Sequence, residues 1–443
     1  MRNVVFIDPT GMSFSGDDPW LVSFHDLLSG GERLDCGRPE LFPGELHRGN
    51  PEETAMMIQT SGTTGMPKLA MLSHRNLTAM GESWIRAVSI QAGENWIFIS
   101  PPAWIVDQMW GLGVALFGGM TMNFPETPET VLEDSRDIGP SRIITSSRFR
   151  EELASRIRVR MGDAGWVKRC LFSEAERVGR AVVSRQVCKE PTPPLIRGLY
   201  HLAAMIIYRP LLDRIGCANF LSAYTGGHPI SPDVISFFRA ISLNLKQCYG
   251  LTEGGGIFQI QPDEEVKPET VGTPLPGVQV RIAEDQEVLV SSRAIFQGYY
   301  QDYQATEAAF TQGWLRTGDA GYLDRDGHLM IIGRKEEIIR NKSGDAFSPD
   351  FIETRLKFSP FIKEAVIFGE GRSFLTAMIN IDFGNTGSWA EERMIPYTTY
   401  MDLSQQTAVE ELILKEVRVK GKIRYRDGQI GEIDAFVRVI EVL

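Results

Sequence analysis

One segment of the sequence has the composition that a polyphosphate-binding loop needs. Glycines let backbone N–H groups approach an anion, hydroxyl groups donate hydrogen bonds to it, and a lysine supplies positive charge. The residues of this kind are Thr60, Ser61, Gly62, Thr63, Thr64, Gly65 and Lys68. The segment is not a Walker loop, because the G-x-x-x-x-G-K-[ST] spacing is absent. A flexible linker has a similar composition, but the apolar runs on both sides favour a phosphate-binding loop.

A second segment, residues 249–256, places a hydroxyl and a carboxylate in a tight, glycine-rich turn after a predicted strand. The carboxylate of Glu253 is a candidate ligand for Mg²⁺, a cation that prefers oxygen ligands and bridges phosphates. The ring of Tyr249 can lie against a flat base. Taken alone, the segment is equally well explained as a structural turn.

Two further turns carry charged residues. Residues 314–319 end in a Gly-Asp turn, and the carboxylate of Asp319 can accept hydrogen bonds from ribose hydroxyls. Residues 333–339 begin with Gly-Arg-Lys-Glu. Each of these segments alone is more often an ordinary turn than a site.

The surrounding patterns predict the elements that position these segments. Apolar runs at 55–60 and 69–74 are strand-like, and residues 95–124 alternate apolar runs with turns. This alternation, with a helical pattern from Asn76, predicts a parallel sheet covered by helices. Residues 147–214 have a helical and basic pattern.

The second half of the sequence predicts a change of architecture. Residues 270–334 carry mostly strand signals, with Asp326-Gly327 as a hairpin turn, and a short αβ unit follows. We therefore expect a large domain at 1–334, including that β-rich part, and a small α+β domain at 335–443 that ends in a β-hairpin.

The composition is that of a folded, multidomain protein. The chain has 443 residues, 43% of them hydrophobic, so two or three domains are expected. The net charge of -11 argues against a nucleic-acid-binding protein. Five scattered cysteines indicate reduced thiols, and no apolar run approaches ~18 residues. Residues 1–9 predict a buried strand rather than a signal peptide, so we expect a cytoplasmic protein.

Taken together and in order, the four segments resemble the AMP-forming acyl- and aryl-CoA synthetase superfamily. Within it, the chain resembles a bacterial long-chain fatty acid–CoA ligase over nearly its whole length. The segments that carry this closer resemblance are residues 101–104, 209–211, 224–232 and 395–404. The fold implied is α/β, with the helix-covered sheets of the adenylate-forming large domain, here incomplete at the N-terminus, and the small C-terminal domain.

The resemblance implies a role for each matching residue. The loop 60–68 would close over the ATP phosphates, and Lys68, Thr252 and Glu253 would act in catalysis, with Glu253 holding Mg²⁺. The implied nucleotide contacts beyond the loop are Gly226, Gly227, His228, Tyr249, Gly250, Asp319 and Arg334. Lys335 and Glu336 would form the hinge of the small domain. ATP, CoA and a fatty acid would be the substrates.

Two features depart from the family pattern. The region before the loop is short, which predicts an exposed sheet edge or apolar face in the large domain. A near-C-terminal lysine assists adenylation in the family, and residues around Lys422 resemble its context. Alternation from 417 to 442 instead predicts a hairpin strand with Lys420 and Lys422 on its polar face. This pattern favours a deletion that removed the catalytic lysine, with Lys422 serving as the alternative.

The sequence thus predicts a long-chain fatty acid–CoA ligase, either active or impaired by truncation. The alternatives are an enzyme that loads an acyl carrier protein and a non-catalytic nucleotide- or acyl-binding protein. Trp104, Trp110 and residues near Phe258 are candidates for an acyl tunnel, or for plain core. The helix predicted at 196–215 would rest on a membrane surface or dock on its own domain.

Overall fold

The computed structural model describes most of the chain. The described residues are 4–8, 20–60, 67–228, 230–342, 344, 346–357, 359–420, 423–424, 430–431 and 437–439. Predicted site residues outside them are Ser61, Gly62, Thr63, Thr64, Gly65 and Lys422. Residue contacts divide the chain into two units, Met1–Glu53 and Thr54–Leu443.

The first unit contains two short strands and two helices. These are β1 (Val4–Phe6), β2 (Leu21–Ser23), α1 (Phe24–Gly37) and α2 (Leu41–Arg48). The strands pair in parallel, and the side chain of Ser23 caps α1 by accepting from the backbone N–H of His25. The predicted strand near the N-terminus is present, but its predicted burial is wrong, because Val5 is 43% exposed. Two strands without a covering layer cannot bury a side chain on both faces.

The second unit alternates helices and strands. Its strands are β3 (Thr54–Thr60), β4 (Lys68–Ser73), β5 (Asn95–Ile97), β6 (Thr121–Asn123), β7 (Arg142–Ser146), β8 (Ser222–Gly226), β9 (Leu245–Leu251), β10 (Gly256–Ile260), β11 (Thr273–Pro274), β12 (Gln279–Ile282), β13 (Glu287–Ser291), β14 (Gly298–Tyr299), β15 (Phe310–Thr311), β16 (Trp314–Leu323), β17 (Leu329–Arg334), β18 (Ile339–Arg340), β19 (Ala346–Phe347), β20 (Ile362–Phe368), β21 (Thr376–Ile381), β22 (Ile423–Arg424), β23 (Ile430–Gly431) and β24 (Val437–Val439). Its helices are α3 (His74–Val88), α4 (Ile105–Gln108), α5 (Leu116–Gly118), α6 (Val131–Ile138), α7 (Ser147–Gly162), α8 (Trp166–Val187), α9 (Pro194–Ala203), α10 (Arg209–Arg214), α11 (Pro232–Ala240), α12 (Tyr303–Ala308), α13 (Pro349–Leu356), α14 (Phe383–Glu391), α15 (Tyr400–Ser404) and α16 (Thr407–Lys420).

The central sheet of this unit has seven strands in the order β11-β10-β9-β8-β7-β5-β6. The pairs from β9 to β6 are parallel, and β10 and β11 add antiparallel strands at one edge. Helices α7 to α11 come between or beside these strands in the chain, as a parallel sheet requires. The predicted α/β class is confirmed.

The strands β3 and β4, on either side of the predicted phosphate-binding loop, do not belong to that parallel sheet, and this part of the prediction is wrong. β3 and β4 pair antiparallel, with Thr60 opposite Lys68, and β14 pairs with β4. The physical reason is loop length. A parallel crossover needs a dozen or more residues, and fewer than that separate the end of β3 at Thr60 from the start of β4 at Lys68.

The β-rich part at 270–334 forms a five-stranded antiparallel sheet. β12, β13, β16 and β15 follow one another, and β17 pairs with β16. The predicted Asp326-Gly327 turn connects β16 to β17, and Gly327 has φ of 82°. That positive φ is the conformation for which a hairpin favours glycine.

Three separate hydrophobic cores fill the second unit. The first contains Trp84, Trp96 and Trp110, with the rings of Trp96 and Trp110 stacked at 4.1 Å. The second lies under helices α7 to α11, and the third contains buried residues from Phe347 to Val417. Trp110 and Phe258 are 0% exposed members of the first core, so they are core residues rather than walls of an open tunnel.

The C-terminal part contains a helix where the alternating pattern predicted the start of a hairpin strand. Residues 407–420 form the helix α16, so Lys420 is not on a hairpin strand as the alternation predicted. Val409, Ile413 and Val417 recur every four residues and are each 0% exposed, which is a helical pattern that outweighs the alternation. Beyond the helix, β22 and β23 pair antiparallel, while the predicted Asp427-Gly428 turn lies outside the described residues. No helix in the described part of the chain is long and apolar enough to span a membrane.

Candidate active site

The glycine-rich segments lie at the carboxyl ends of parallel strands. β7 ends at Ser146, which pairs with Gly226 at the end of β8, and β9 runs beside β8 toward Thr252. This edge is where open α/β sheets bind their ligands. The fold therefore places residues 226–228 and 249–253 on the ligand-binding side of the central sheet.

A cavity of about 350 Å³ opens at this edge. It is lined by Ile99, Ser100, Pro101, Trp104, Thr145, Ser146, Phe149, Gly226, Gly227 and His228. A Cβ at Gly226 would lie 2.8 Å from the carbonyl oxygen of Cys248, so only glycine leaves room for the neighbouring strand. The cavity brings three predicted nucleotide-binding residues together with Trp104, a predicted acyl-site candidate.

A second cavity, of about 910 Å³, lies beside the paired strands β3 and β4. Its walls include Thr60, Pro67, Pro102, Ala103 and Gln108. The segment from 101 to 108 thus separates the two cavities, with Trp104 on one side and Gln108 on the other. A ligand with a nucleotide at one end and an extended group at the other is able to occupy both cavities at once.

Lys68 and Glu253 are connected through Tyr299. The Lys68 ammonium lies 5.1 Å from the centre of the Tyr299 ring, a cation–π distance. The Tyr299 hydroxyl donates a hydrogen bond of 2.7 Å to Glu253 Oε1. Burial, followed by the Glu253 charge, raises the pKa of Tyr299 far above its ordinary value, so this hydroxyl remains a donor. The lysine of the loop and the proposed Mg²⁺ ligand therefore belong to one connected group.

Glu253 is positioned by its backbone as well. It lies in a 3₁₀ turn, Thr252–Gly254, between β9 and β10, and its carbonyl accepts from the N–H of Phe296 at 2.9 Å. Within the described residues, no three His, Cys, Asp or Glu side chains come together as a metal-ligand set. A single carboxylate suits Mg²⁺ that is bound mainly through phosphates and water.

Tyr249, Asp319 and Arg334 form a second connected group, which links β9 to β16 and β17. The Tyr249 hydroxyl donates to Asp319 Oδ2 at 2.5 Å, and Arg334 Nη1 lies 3.3 Å from Asp319 Oδ1. Burial raises the pKa of Asp319, while the Arg334 charge and the Tyr249 hydroxyl oppose that rise. Tyr249 and Arg334 thus hold the carboxylate of Asp319, and all three are predicted nucleotide-binding residues.

Glu287 supports the part of β16 that carries Asp319, which is strand rather than the turn predicted at 314–319. It is 3% exposed and accepts from the N–H of Gly318 at 3.2 Å and from Arg316 at 2.8 Å. Burial alone would raise the pKa of Glu287, but the hydrogen bonds from Arg316, Lys335 and Gly318 hold it below its ordinary value. The predicted hinge residue Lys335 is therefore fixed to Glu287 and Asp285, whereas Glu336 is exposed.

Tyr299 and Glu287 were not identified from the sequence. Both contact their site partners across long sequence separations, Tyr299 to Glu253 over 46 residues and Glu287 to Gly318 over 31. No local motif marks a strand tyrosine or glutamate as functional, so only the tertiary structure shows these contacts.

Residues 17–300, more than half of the chain, match the family model of the AMP-binding enzymes. The chain belongs to this family. It is 32% identical over 333 residues to the long-chain-fatty-acid–CoA ligase FadD15 of Mycobacterium tuberculosis, a match that covers 74% of this chain and 54% of that protein. It is 29% identical over 341 residues to the long-chain-fatty-acid–CoA ligase heimdall of Drosophila melanogaster, covering 74% of this chain and 50% of that one. The chain spans about half the length of these curated relatives.

Solved structures of adenylate-forming enzymes share the fold. The anthranilate CoA ligase AuaEII in complex with anthranoyl-AMP superposes with a TM-score of 0.59 at 14% identity, covering 88% of this chain and 64% of that one. The O-succinylbenzoate coenzyme A synthetase of Bacillus subtilis in complex with AMP gives 0.56 at 19% identity, covering 88% and 66%. At these identities the likeness establishes the fold alone, and it confirms the predicted adenylate-forming architecture.

Proposed function

We propose that this chain carries the nucleotide-binding and adenylating site of an ATP-dependent long-chain fatty acid–CoA ligase. The reaction converts fatty acid, ATP and CoA into acyl-CoA, AMP and pyrophosphate. The observation that carries the proposal is the pair of connected groups, Lys68–Tyr299–Glu253 and Tyr249–Asp319–Arg334, on an AMP-binding fold. The names of the relatives support a long-chain acid as the substrate and CoA as the acceptor.

In the first step, a carboxylate oxygen of the acid attacks the α-phosphorus of ATP. The bond to the β-phosphate oxygen breaks, pyrophosphate leaves, and the acyl-adenylate forms. The chain's contribution is position and charge, since such transfers need little covalent assistance. We assign phosphate contacts to the 60–68 loop with Lys68, and the α-phosphate contact to Thr252. Glu253 would hold Mg²⁺, which neutralises phosphate charge when it is bound.

The remaining residues hold the nucleoside. Asp319 would accept from the ribose hydroxyls, with Arg334 and Tyr249 fixing its carboxylate, and Gly226, Gly227, His228 and Gly250 would surround the base. In the second step, the CoA thiolate attacks the acyl carbon, the carbon–oxygen bond to AMP breaks, and AMP leaves. We assign the rotation between the two steps to a hinge at Lys335 and Glu336, with the small domain at 335–443. Whether Lys422 assists the first step stays a prediction, because this residue lies outside the described residues.

The experiment that tests the proposal is ATP–pyrophosphate exchange that depends on added palmitate. We expect exchange by the full chain and a loss of about 100-fold or more in Lys68→Ala, because a cation beside the phosphates is removed. Lys363→Ala is the matched control, since Lys363 is exposed on β20. ATP binding with no exchange above background would refute adenylation and leave the non-catalytic binding protein. Acyl transfer to a holo carrier protein but not to CoA would refute the CoA ligase.

A further inference from the structure

Arg150 is a buried charged residue beside the cavity of about 350 Å³. It is the fourth residue of α7 and is 0% exposed. Its Nε donates a hydrogen bond of 2.7 Å to Thr145 Oγ1, and its guanidinium carbon lies 5.7 Å from the centre of the Phe149 ring. Thr145 and Phe149 both line the cavity. The guanidinium therefore lies directly behind the part of the cavity wall that these two residues form.

The charge of Arg150 is not neutralised by its surroundings. Its Nη1 and Nη2 are buried and have no oxygen acceptor within the described part of the chain. The thiol of Cys217 is beside the guanidinium, but burial raises the pKa of this thiol, so it is neutral at pH 7. An arginine stays protonated even where burial lowers its pKa. A ligand that supplies a negative charge would therefore remove an unfavourable feature of the fold.

Thr225 carries another unpartnered polar atom on the same side of the sheet. It pairs in register with Thr145 on the neighbouring parallel strand, so both side chains point to one face. Two residues earlier on each strand, Ile143 and Ala223 are buried in the second core. Thr225 is 0% exposed, and its hydroxyl oxygen has no hydrogen-bond partner among the residues that the structure describes. Since the next residue, Gly226, lines the cavity, this second unpartnered group lies beside it as well.

The N-terminus of α7 adds positive potential at the same wall. Ser146, the N-cap residue, lines the cavity, and the 16-residue helix has no acidic residue in its first turn. Arg148 in that turn is exposed. The backbone N–H groups and the dipole of a helix N-terminus favour an anion. The wall formed by residues 145–149 therefore suits a negatively charged oxygen group.

The acid substrate is the ligand that is left to supply this anion. In the proposed function, the ATP phosphates use the loop 60–68 and Thr252, and the base uses residues 226–228. Trp104, on the same cavity, is a candidate for contact with the acyl group. The wall at Thr145 and Phe149 has no role in binding the nucleotide, so an anion there belongs to the acid.

Asp107 is a buried group of the opposite charge near this cavity. The hydroxyl of Ser100, which lines the cavity, is hydrogen bonded to it. An acid that carries an ammonium group is therefore the competing substrate class. Arg150 favours an anion more strongly, because two of its nitrogens lack an acceptor whereas one oxygen of Asp107 lacks a donor. The helix N-terminus acts in the same sense as Arg150.

We propose that the wall at Thr145 and Phe149, backed by Arg150, binds a second carboxylate of the acid substrate. The chain then prefers dicarboxylic acids to monocarboxylic acids of equal length. The second carboxylate supplies the counter-charge that Arg150 lacks, while the first attacks the α-phosphorus of ATP. This inference rests on the proposed function, because it names the class of acid that the same site activates.

The test compares decanedioate, dodecanedioate and hexadecanedioate with decanoate, dodecanoate and palmitate. ATP–pyrophosphate exchange by the full chain gives kcat/KM for each acid. We expect at least one dicarboxylate to exceed its partner by about tenfold or more, because a buried charge gains a charge-assisted hydrogen bond. In Arg150→Met this preference should disappear through a rise in KM for the dicarboxylate. Methionine fills a similar space without the charge, and loss of an uncompensated buried charge does not by itself destabilise a fold.

Arg148→Met is the matched control, because it removes an exposed arginine from the same turn of α7. The preference for the dicarboxylate should remain in this variant, and an equal loss in both variants would overturn the proposal. Thr225→Val keeps the shape of the side chain and removes its hydroxyl, so it should weaken the preference. This second variant keeps the test decisive if circular dichroism shows that Arg150→Met does not fold.

The shift of the melting temperature by each acid, measured without ATP, separates this inference from the ligase proposal. A larger shift with the dicarboxylate, lost in Arg150→Met, would support the second-carboxylate site even if no acid gave exchange. Exchange with equal kcat/KM for both acids at every length would overturn the site and leave the ligase. A preference for the ω-amino acid of the same length would overturn it in favour of recognition by Asp107.

Discussion

Tyr299 contacts two charged residues of the candidate site, since its ring lies beneath the Lys68 ammonium and its hydroxyl binds Glu253. In Tyr299→Phe the ring beneath Lys68 remains, but the Glu253 carboxylate loses the hydrogen bond from the Tyr299 hydroxyl. If Glu253 holds Mg²⁺ as proposed, we expect kcat/KM for palmitate-dependent exchange to fall about tenfold, with a larger requirement for Mg²⁺, because a partner that orients the proposed metal ligand is removed. Titration of exchange against Mg²⁺ measures both effects.

The control for this prediction is the adjacent Tyr300. It is 45% exposed, and its hydroxyl accepts only from Gln301 among the hydrogen bonds described for it. Tyr300→Phe should leave the exchange rate and the Mg²⁺ dependence unchanged. Equal losses in the two variants would show that the effect comes from the strand rather than from Glu253.

Asp107 is a buried carboxyl in the segment that separates the two cavities. It is 4% exposed, and its Oδ2 has no hydrogen-bond partner among the described residues. Burial raises its pKa from 3.8 to about 6, although the Ser100 hydroxyl opposes the rise. Because the folded-state pKa is the higher one, ionisation of Asp107 destabilises the fold progressively from about pH 4 to about pH 6, and fully above that.

Asp107→Asn removes this ionisation. We expect the free energy of unfolding at pH 7.5 to rise by about 1–3 kcal/mol, and the difference from the unmodified chain to vanish near pH 4. Urea unfolding at both pH values measures it, with the exposed Asp137→Asn as the control. A variant that is no more stable at pH 7.5 would contradict the prediction.

At the residue scale, the sequence predicted those site residues that belong to a recognisable local motif. Lys68, Glu253, Asp319 and Arg334 stand in glycine-containing sequence segments of unusual composition, and the structure joins them in two connected groups. Tyr299 has no such motif. Its contact with Glu253 depends on the pairing of β14 with β4. A strand of two residues has too little sequence pattern to predict that pairing.

At the scale of elements, periodicity identified most helices and strands but not every partner. The helical pattern at 147–214 and the hairpin at Asp326-Gly327 are confirmed. The parallel arrangement expected for the runs at 55–60 and 69–74 is wrong. An apolar run has the same pattern in a parallel and an antiparallel pair, so the length of the connection between the two strands decides. Val417 fits both a helical period and an alternating one, and its burial in the third core with Val409 and Ile413 selects the helix.

Glu287 connects β13 to β16 through Arg316 and Gly318, and to Lys335 at the proposed hinge, so its charge stabilises an arrangement of elements. Its pKa is lowered in the folded state, and therefore its contribution is complete above about pH 4.5 and is lost as the pH falls through the lowered value. We expect Glu287→Gln to reduce the free energy of unfolding by about 2 kcal/mol or more at pH 7, because Arg316 and Lys335 lose a buried partner.

The difference in unfolding free energy between Glu287→Gln and the unmodified chain should shrink as the pH falls below 4.5. Glu287 of the unmodified chain is then protonated, first in the unfolded state and at lower pH in the folded state. Denaturant unfolding from pH 3.5 to pH 7 measures the trend. Glu284 lies in the same β12–β13 turn but is exposed, so Glu284→Gln is the control. An equal, pH-independent loss in both variants would assign the effect to the hairpin in general.

At the scale of the whole molecule, the boundary proposed at 334–335 competes with the division of contacts at Glu53–Thr54. Buried members of the first two cores extend no further than Leu329, and those of the third begin at Phe347. Arg340 and Lys342 are exposed between them. Since each core closes by itself, we expect brief trypsin treatment of the full chain to cut first after Arg340 or Lys342.

The two fragments should weigh about 38 and about 11 kDa, in proportion to 49.6 kDa for 443 residues, and intact mass measurement identifies the cut. In the variant Arg340→Gln/Lys342→Gln this cut should disappear while the melting temperature is kept. A first cut at Arg48, in the exposed helix α2, would instead favour the division at Glu53–Thr54. The result tests the hinge proposed at Lys335, because a hinge there requires that the cores on its two sides remain folded separately.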